Sequence, residues 1–525
     1  MKTSRRRFLE QSTALSLLSL SDTPVALPMN NTIYDIIIIG AGTAGMPCAI
    51  AAAQKGAKVL VIEKSDKVGG TLHLTGGHMS AGGTRHQHRK GVEDTPQAHY
   101  DDVMRISQHT APADIVRLAV NEAPHTIDWL ESLGFEFAPE SPRIVYGHVP
   151  YHVARTQYGK EAGISIFKAL KPLWDKYVAS QNIELKLHTS LSKLWLEKGK
   201  VVGVETTHKE KRESFKGKSV VLAAGGYAAN PTFFAQKHPH HPRLITTAAP
   251  TSTGEVIAIA EQAGAQFWNA DTHISSLGGI EFEPQSHQAD FWQGWAMVFT
   301  TSYRPAREIY VNDLGHRFMD ESNPDPDYRE RAVAQQPQKR FWVIFDENAL
   351  QGRTSSDNAD TGYVNVDKTT VANAPMTIVP KWTVEQIKQY AQEGKFLWTA
   401  DSIAALAQKT GLPEANLEKA VAQFNQYAHE GNDKDFGRKD LKYRVEKGPF
   451  YALLTYATSL ISFGGLKINT QLQVLNHQNQ PIPNLYAAGE IIGAGATTGN
   501  AFCGGMLVTP AISFGRILGK KLASQ

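Results

Sequence analysis

Cysteine is nearly absent. The two present in 525 residues, Cys48 and Cys503, cannot build a disulfide framework or a four-cysteine zinc site. An excess of one charge is also missing: 54 basic residues face 51 acidic ones, net +3, which speaks against nucleic acid or an anionic membrane surface as a partner. No apolar run reaches the roughly 18 residues needed to cross a bilayer, so no transmembrane span is expected in the mature body. Repeats and low-complexity tracts are missing as well. Histidines are plentiful, but His73, His78, His86, His88, His238, His240 and His241 form no helical pair with a carboxylate, so no metal site is expected. What is present, 42% hydrophobic residues, suffices for a large core and two or more lobes.

Residues 1–30 read as a twin-arginine type signal. Ser4-Arg5-Arg6-Arg7-Phe8-Leu9 precedes a modest apolar run, Thr13 to Leu20, and a proline-containing stretch up to Met29. This predicts a periplasmic protein, exported folded with any cofactor in place. The alternative is an ordinary basic N-terminus, and no Ala-x-Ala site marks a cleavage point.

The chain is organised around residues 33–70. A β-type run, Ile36 to Ile39, leads into Gly40-x-Gly42-x-x-Gly45, an alanine-rich helical run to Gly56, and a second β-type run, Val59 to Ile62, ending at Glu63. In such a unit the first glycine permits the sharp turn and the second lets the backbone approach a pyrophosphate. The third lets helix and strand pack closely. Glu63 stands where a carboxylate takes ribose hydroxyls, which argues against a 2′-phosphate. The fingerprint predicts a dinucleotide and leaves FAD and NAD open.

Downstream, residues 63–91 form a glycine-rich loop, and Pro96 to Leu133 is helical in pattern. A helix is expected over Ile164–Tyr177, with strands near Ile183–Leu187, Leu191–Leu196, Lys200–Thr206 and Lys218–Leu222. The last of these breaks at Ala223-Ala224-Gly225-Gly226. Residues 250–365 carry an aromatic cluster (Phe291, Trp292, Trp295, Phe299, Tyr303) that either lines a pocket or fills a core. Asn312-Asp313-x-Gly315 reads as a turn and SNPDPDYRERAV as a charged loop. Helices are expected over Thr383–Glu393, Ser402–Lys409 and Asn416–His429. Near the end, a β-type run closing on Gly489-Glu490, a glycine-rich loop 493–505 and a helix Thr509–Lys520 form a second anion-binding geometry.

These blocks together resemble the flavoprotein family of soluble fumarate reductases and succinate dehydrogenase flavoprotein subunits, which includes 3-ketosteroid dehydrogenases. The likeness is carried by the segment 38–70, Ala223-Ala224-Gly225-Gly226, Thr253-Gly254-Glu255, Val311-Asn312, Gly315-His316-Arg317-Phe318, and the late GGLKI, LYAAGEIIG and SFGRILG. It implies an α/β fold: a Rossmann-like FAD-binding domain, residues 31–249 and 366–525, with an inserted α+β capping domain, 250–365. It implies FAD held by Gly40, Gly42, Ala44, Gly45, Glu63, Lys64, Gly69, Gly70, Thr71, Gly76, Gly77, Ala224, Gly225, Gly489, Glu490, Gly505, Leu507 and Val508.

The resemblance also implies an oxidoreductase acting on CH–CH groups, exchanging hydride with flavin N5 while a protein residue exchanges a proton at the neighbouring carbon. Arg329 and Tyr328 are the proton-donor candidates, and Arg155 lies where relatives direct a polar side chain toward flavin or substrate. The chain departs from the dicarboxylate reductases at two places. Ile461-Ser462-Phe463-Gly464-Gly465 replaces a His-Thr-x-Gly-Gly, and Phe502 stands at the position of a carboxylate-binding arginine. Phe502, Ser462 and Phe463 therefore predict a pocket for a small molecule less acidic than fumarate, such as a steroid-like or other apolar enone. A flavin-dependent alcohol or amine oxidase and a non-catalytic electron-transfer subunit are the alternatives. No C-x-x-C-H run occurs, so a cytochrome or quinone-linked electron partner would be a separate protein.

Overall fold

The computed structural model describes residues 29–144, 149–241, 243–268, 276–289, 306–323, 325–354 and 382–524. The arginine-bearing part of the N-terminal segment and the aromatic cluster 291–303 lie outside them. The first strand, Met29–Ile39, pairs from Met29 with Ser214, so the fold starts slightly before residue 31.

The first sheet has eight strands. Its parallel core runs Pro481–Ala487, Lys211–Leu222, Met29–Ile39, Val59–Ile62 and Ile183–Lys186, with Gln473–Leu475 antiparallel at one edge. Ser190–Glu197 and Lys200–His208 fold back as a meander onto the long strand Lys211–Leu222. The unbroken runs Ile36–Ile39 and Val59–Ile62 explain their central place: a strand covered on both faces needs apolar side chains on both, and all eight are buried. Each contributes about 1.5–3 kcal/mol relative to exposure.

Two helices close one face. Gly45–Ala53 is buried throughout and crosses the C-terminal helix Val508–Leu522. A Cβ on Gly515 would lie 2.2 Å from the Ala44 carbonyl oxygen, and one on Gly519 2.2 Å from that of Cys48. The backbones touch because these residues have no side chain.

The second sheet is antiparallel, with Ser276–Gly279, Phe450–Thr458, Arg340–Asp346 and Ile309–Val311 in that order, and Leu397–Ala400 also on Phe450–Thr458. This corrects the expected return to the first sheet at residue 366. Phe450–Thr458 pairs along its whole length inside the second lobe, and the chain rejoins the first sheet only with Gln473–Leu475. Two segments link the lobes and bond to each other: Ser459 donates to Ile245 O at 2.8 Å and Thr247 to Ser459 O at 3.0 Å. The expected charged loop after Phe318 contains a helix, Pro326–Ala334. Its proline stands at the start, where no N–H is required.

Candidate functional site

Gly40 has φ +101°, and a Cβ there would lie 2.4 Å from Ala223 O, so the turn needs glycine both for its conformation and for the neighbouring strand end. Gly45 packs against the same turn, where a Cβ would lie 1.8 Å from Gly40 O. A Cβ on Gly42 would come no closer than 3.8 Å to Gly70 Cα. The helix that begins at Gly45, behind Ala44, has no acidic residue in its first turn and no side-chain cap, leaving its positive end to an anion.

Glu63 closes onto this turn. Its Oε2 accepts the Ala41 N–H at 2.8 Å, and its Oε1 accepts the Ser65 N–H at 2.9 Å and hydroxyl at 2.6 Å. Beyond it, Gly69 and Gly70, both at positive φ, start a short 3-10 turn that brings the Thr71 hydroxyl within 3.2 Å of Thr43. Lys64 reaches away to Thr253 at 2.7 Å and Glu255 at 3.2 Å, joining the loop to helix Glu255–Gln262. Gly77 is a packing glycine rather than a lining one: it is buried, and a Cβ would lie 2.5 Å from the Ala162 carbonyl carbon. Gly76 beside it stays half-buried.

The late segment meets the early one directly. A Cβ on Gly489, φ +82°, would lie 3.1 Å from Ala44 Cβ, and one on Gly505 2.4 Å from Ser80 N. The Ser80 N–H donates to Thr509 Oγ1 at 2.8 Å, and Tyr151 donates to Gly504 O at 2.6 Å, holding the loop before Leu507 and Val508. Gly42, Thr43, Thr71, Ala224, Gly225, Gly489, Glu490, Gly505, Leu507 and Val508 stay half-buried beside neighbours that are fully buried. Drawn from five stretches of chain, they form a groove lined by small residues, with two helix N-termini for negative charge. An extended dinucleotide fits this donor set.

Arg329 is fully buried on helix Pro326–Ala334. Two residues on, Arg331 Nη2 donates to Asn500 O at 3.3 Å, and Asn500 is tied to Thr110, so this helix lies against the late loop that carries Phe502. Tyr328 is 36% exposed and its hydroxyl accepts the Asp320 N–H, which turns it from the interior. Phe463 and Phe502 meet edge to face at 5.3 Å and form with Ala494, Ile461 and Leu507 an apolar cluster of their own.

Two expectations are corrected. Arg155 is not a flavin or substrate ligand: its guanidinium is spent on Asp94, at 2.7 Å through Nε and Nη2, and on Asp102, at 2.6 Å. Three of its N–H groups are committed to carboxylates, which neutralise the buried cation. Ser462 is not a pocket-wall residue: its hydroxyl accepts the Tyr227 N–H at 2.7 Å and its N–H donates to Glu490 at 2.9 Å. The sequence reading missed Gly226, Ser65, Thr43 and Thr509. Gly226 was visible as the last glycine of its block and Ser65 as a hydroxyl two residues past Glu63. Thr43 and Thr509 carry no local signal.

The FAD binding domain family matches residues 35–507. Among relatives, a fumarate reductase (cytochrome) of Shewanella frigidimarina is 28% identical over 496 residues, 93% of this chain and 77% of that one. A vinyl phenol reductase of Lactiplantibacillus plantarum is 27% identical over 477 residues, covering 89% and 91%. Among solved structures, the open conformation of a flavocytochrome c3 fumarate reductase superposes with TM-score 0.69 at 26% identity, covering 94% of this chain and 78% of that one. FAD is thus the cofactor, and the chain belongs to the FAD binding domain family of flavoprotein oxidoreductases.

Proposed function

We propose that this protein reduces or forms a C=C bond next to a carbonyl, on a substrate less acidic than fumarate, with an apolar or ring-shaped body. The bound FAD supplies hydride exchange at its N5. The observation that carries the reading is the Phe463–Phe502 pair: it packs on Leu507, at the N-terminus of the last helix, and offers no charge there. A dicarboxylate placed against it loses charged hydrogen bonds at a cost of about 2–5 kcal/mol. An apolar group gains buried area instead.

Helix Pro326–Ala334 holds Arg329 buried, and the Arg331–Asn500 contact sets that helix on the late loop. A guanidinium held there orients a carbonyl oxygen and exchanges a proton at the carbon beside it. Glu63, Gly42 and the two helix N-termini hold the adenosine and pyrophosphate. Electrons are exchanged with a separate cytochrome or quinone-linked carrier after twin-arginine export to the periplasm, and the lack of a C-x-x-C-H run supports the separate carrier.

The test is anaerobic reoxidation of the reduced flavin. Apolar enones are expected to reoxidise it in wild type and slowly in Arg329→Gln, with flavin content unchanged, while fumarate reoxidises it at least about thirtyfold more slowly than the best enone. Brisk reoxidation by fumarate, or none by any enone or enoate, overturns the reading.

A further inference from the structure

The short strands Met79–Ser80 and Thr156–Gln157 pair antiparallel, with Ser80 opposite Thr156, and Arg143 widens this ribbon by exchanging two backbone hydrogen bonds of 3.0 Å with Thr156. At its other edge the ribbon meets the late loop: a Cβ on Gly505 would lie 2.9 Å from Ser80 Cβ, and the Ser80 N–H donates to Thr509. Residues opposite one another, and residues two apart, share a face of such a ribbon, so Arg143, Thr156 and Tyr158 stand on one side and Gln157 on the other. The contacts agree. The Arg143 guanidinium lies 5.0 Å from the Tyr158 ring centre and His78 meets that ring edge-on at 5.4 Å, whereas Gln157 Nε2 donates to Ala81 O at 3.3 Å and to Thr84 Oγ1 at 3.1 Å.

The two faces differ in how their polar atoms are engaged. Arg143 Nε and Nη1, Thr156 Oγ1 and Tyr158 OH are all buried without a hydrogen-bond partner among the described residues. Arg143 is 8% exposed, and Thr156 and Tyr158 are sealed. Arg155, one residue before Thr156, shows how this fold treats a buried guanidinium that serves structure: two aspartates neutralise it. Arg143 has no ion pair among the described residues. A buried cation without a counter-charge costs stability, and beside two hydroxyls with nothing to bond it makes a donor set for an oxyanion. Burial lifts the Tyr158 phenol to about 12, so it keeps its proton to donate at neutral pH. The face is not closed off either, because His78 at the ring edge and Ile144 beside Arg143 are only half-buried.

We propose that Arg143, Tyr158 and Thr156 form a carboxylate-binding site, which takes the acid end of a small ligand lying along the ribbon. The guanidinium supplies the charge and planar donors, and the two hydroxyls add hydrogen bonds from the neighbouring strand. Adjacent strands stand about 4.8 Å apart, so Arg143 lies about 10 Å across the ribbon from Ser80 and the late loop, a span that suits an aromatic ring with a short side chain. This site is read from binding geometry and rests neither on a reaction nor on the Phe463–Phe502 pair.

Calorimetric titration of the oxidised, FAD-loaded protein with benzoate, which offers the flavin no alkene to reduce, tests this without reference to turnover. Benzoate is expected to bind the wild type, and to bind about thirtyfold more weakly to Arg143→Gln and about tenfold more weakly to Tyr158→Phe. Benzamide, which lacks the charge, is expected to distinguish the three proteins far less, and their apoproteins are expected to bind FAD alike. Without ligand, Arg143→Met is expected to melt no lower than wild type, because the uncompensated charge leaves with the side chain, and it should lose the rise in melting temperature that benzoate gives the wild type. Should Arg143→Gln not fold, Tyr158→Phe, which removes a single oxygen, carries the binding test. No benzoate binding by the wild type, equal affinity in Arg143→Gln, or a lower melting temperature of ligand-free Arg143→Met overturns the proposal. Weaker FAD binding by Arg143→Gln with benzoate affinity retained also overturns it, by assigning the site to the cofactor phosphates, and inorganic phosphate binding there more tightly than benzoate overturns it as well.

Discussion

Glu63 and Ala41 meet through a hydrogen bond of 2.8 Å, from the Ala41 N–H to Glu63 Oε2, so the carboxylate that ends one strand braces the glycine turn that ends the other. One side chain thus ties the glycine turn to the loop that begins at Ser65. Glu63→Ala is expected to weaken FAD at least about tenfold, read as a higher dissociation constant for the apoprotein, since a charge-assisted bond contributes about 1.5–3 kcal/mol. Full flavin retention after dialysis would contradict it.

Arg155→Met leaves Asp94 and Asp102 buried without their cation. The expected loss is about 3–5 kcal/mol of stability by denaturant melt, with the flavin spectrum of the folded fraction unchanged. A variant that keeps its stability but loses turnover would return Arg155 to the reaction.

Gly515→Val places carbon where the Ala44 carbonyl stands. Although valine replaces a poor helix former, the crossing of Gly45–Ala53 with Val508–Leu522 must open, which moves both helix N-termini that face the groove. Low flavin content and a lower melting temperature are expected together. A native-like melt with full FAD would show that the crossing yields at no cost.

Acid should destabilise the protein in two stages. His99 is fully buried, and burial, then the nearby Arg155 charge, hold its imidazole well below 6.5, while burial with Lys339 and His238 pulls His241 down to about 4. These rings stay neutral when folded but protonate when unfolded, so stability is complete above 6.5 and is lost as pH falls from there. Asp102 and Asp433 follow. Burial acts to raise them, but hydrogen bonds from Arg105 and Arg155, and from Arg317, lower them, so their contribution is full above 3.8 and goes as pH falls further. Melting temperature against pH should show both stages, and His99→Met should flatten the first. An unaltered first stage in that variant would exclude His99 as its source.

The local code was readable where one segment does one job. Ile36–Ile39, the Gly40 turn and Val59–Glu63 form a complete unit within one stretch of chain, and the structure has them as the periodicity and the glycines imply. The last helix was legible for the same reason, since it follows a glycine-rich loop within one stretch of chain. The helix Pro326–Ala334 was misread because its charges mask a weak apolar period, and the second lobe's extent was misjudged because Phe450–Thr458 is apolar enough to suit either sheet.

The sequence by itself determined the nucleotide unit and the absence of charge at Phe502 and Phe463, because those properties belong to residue types and short spacings. Only the tertiary structure decided that Arg155 answers two aspartates and that Ser462 answers Glu490, 28 residues away. Whether a buried polar group faces a ligand or another side chain depends on which distant segment folds against it, and no local pattern encodes that.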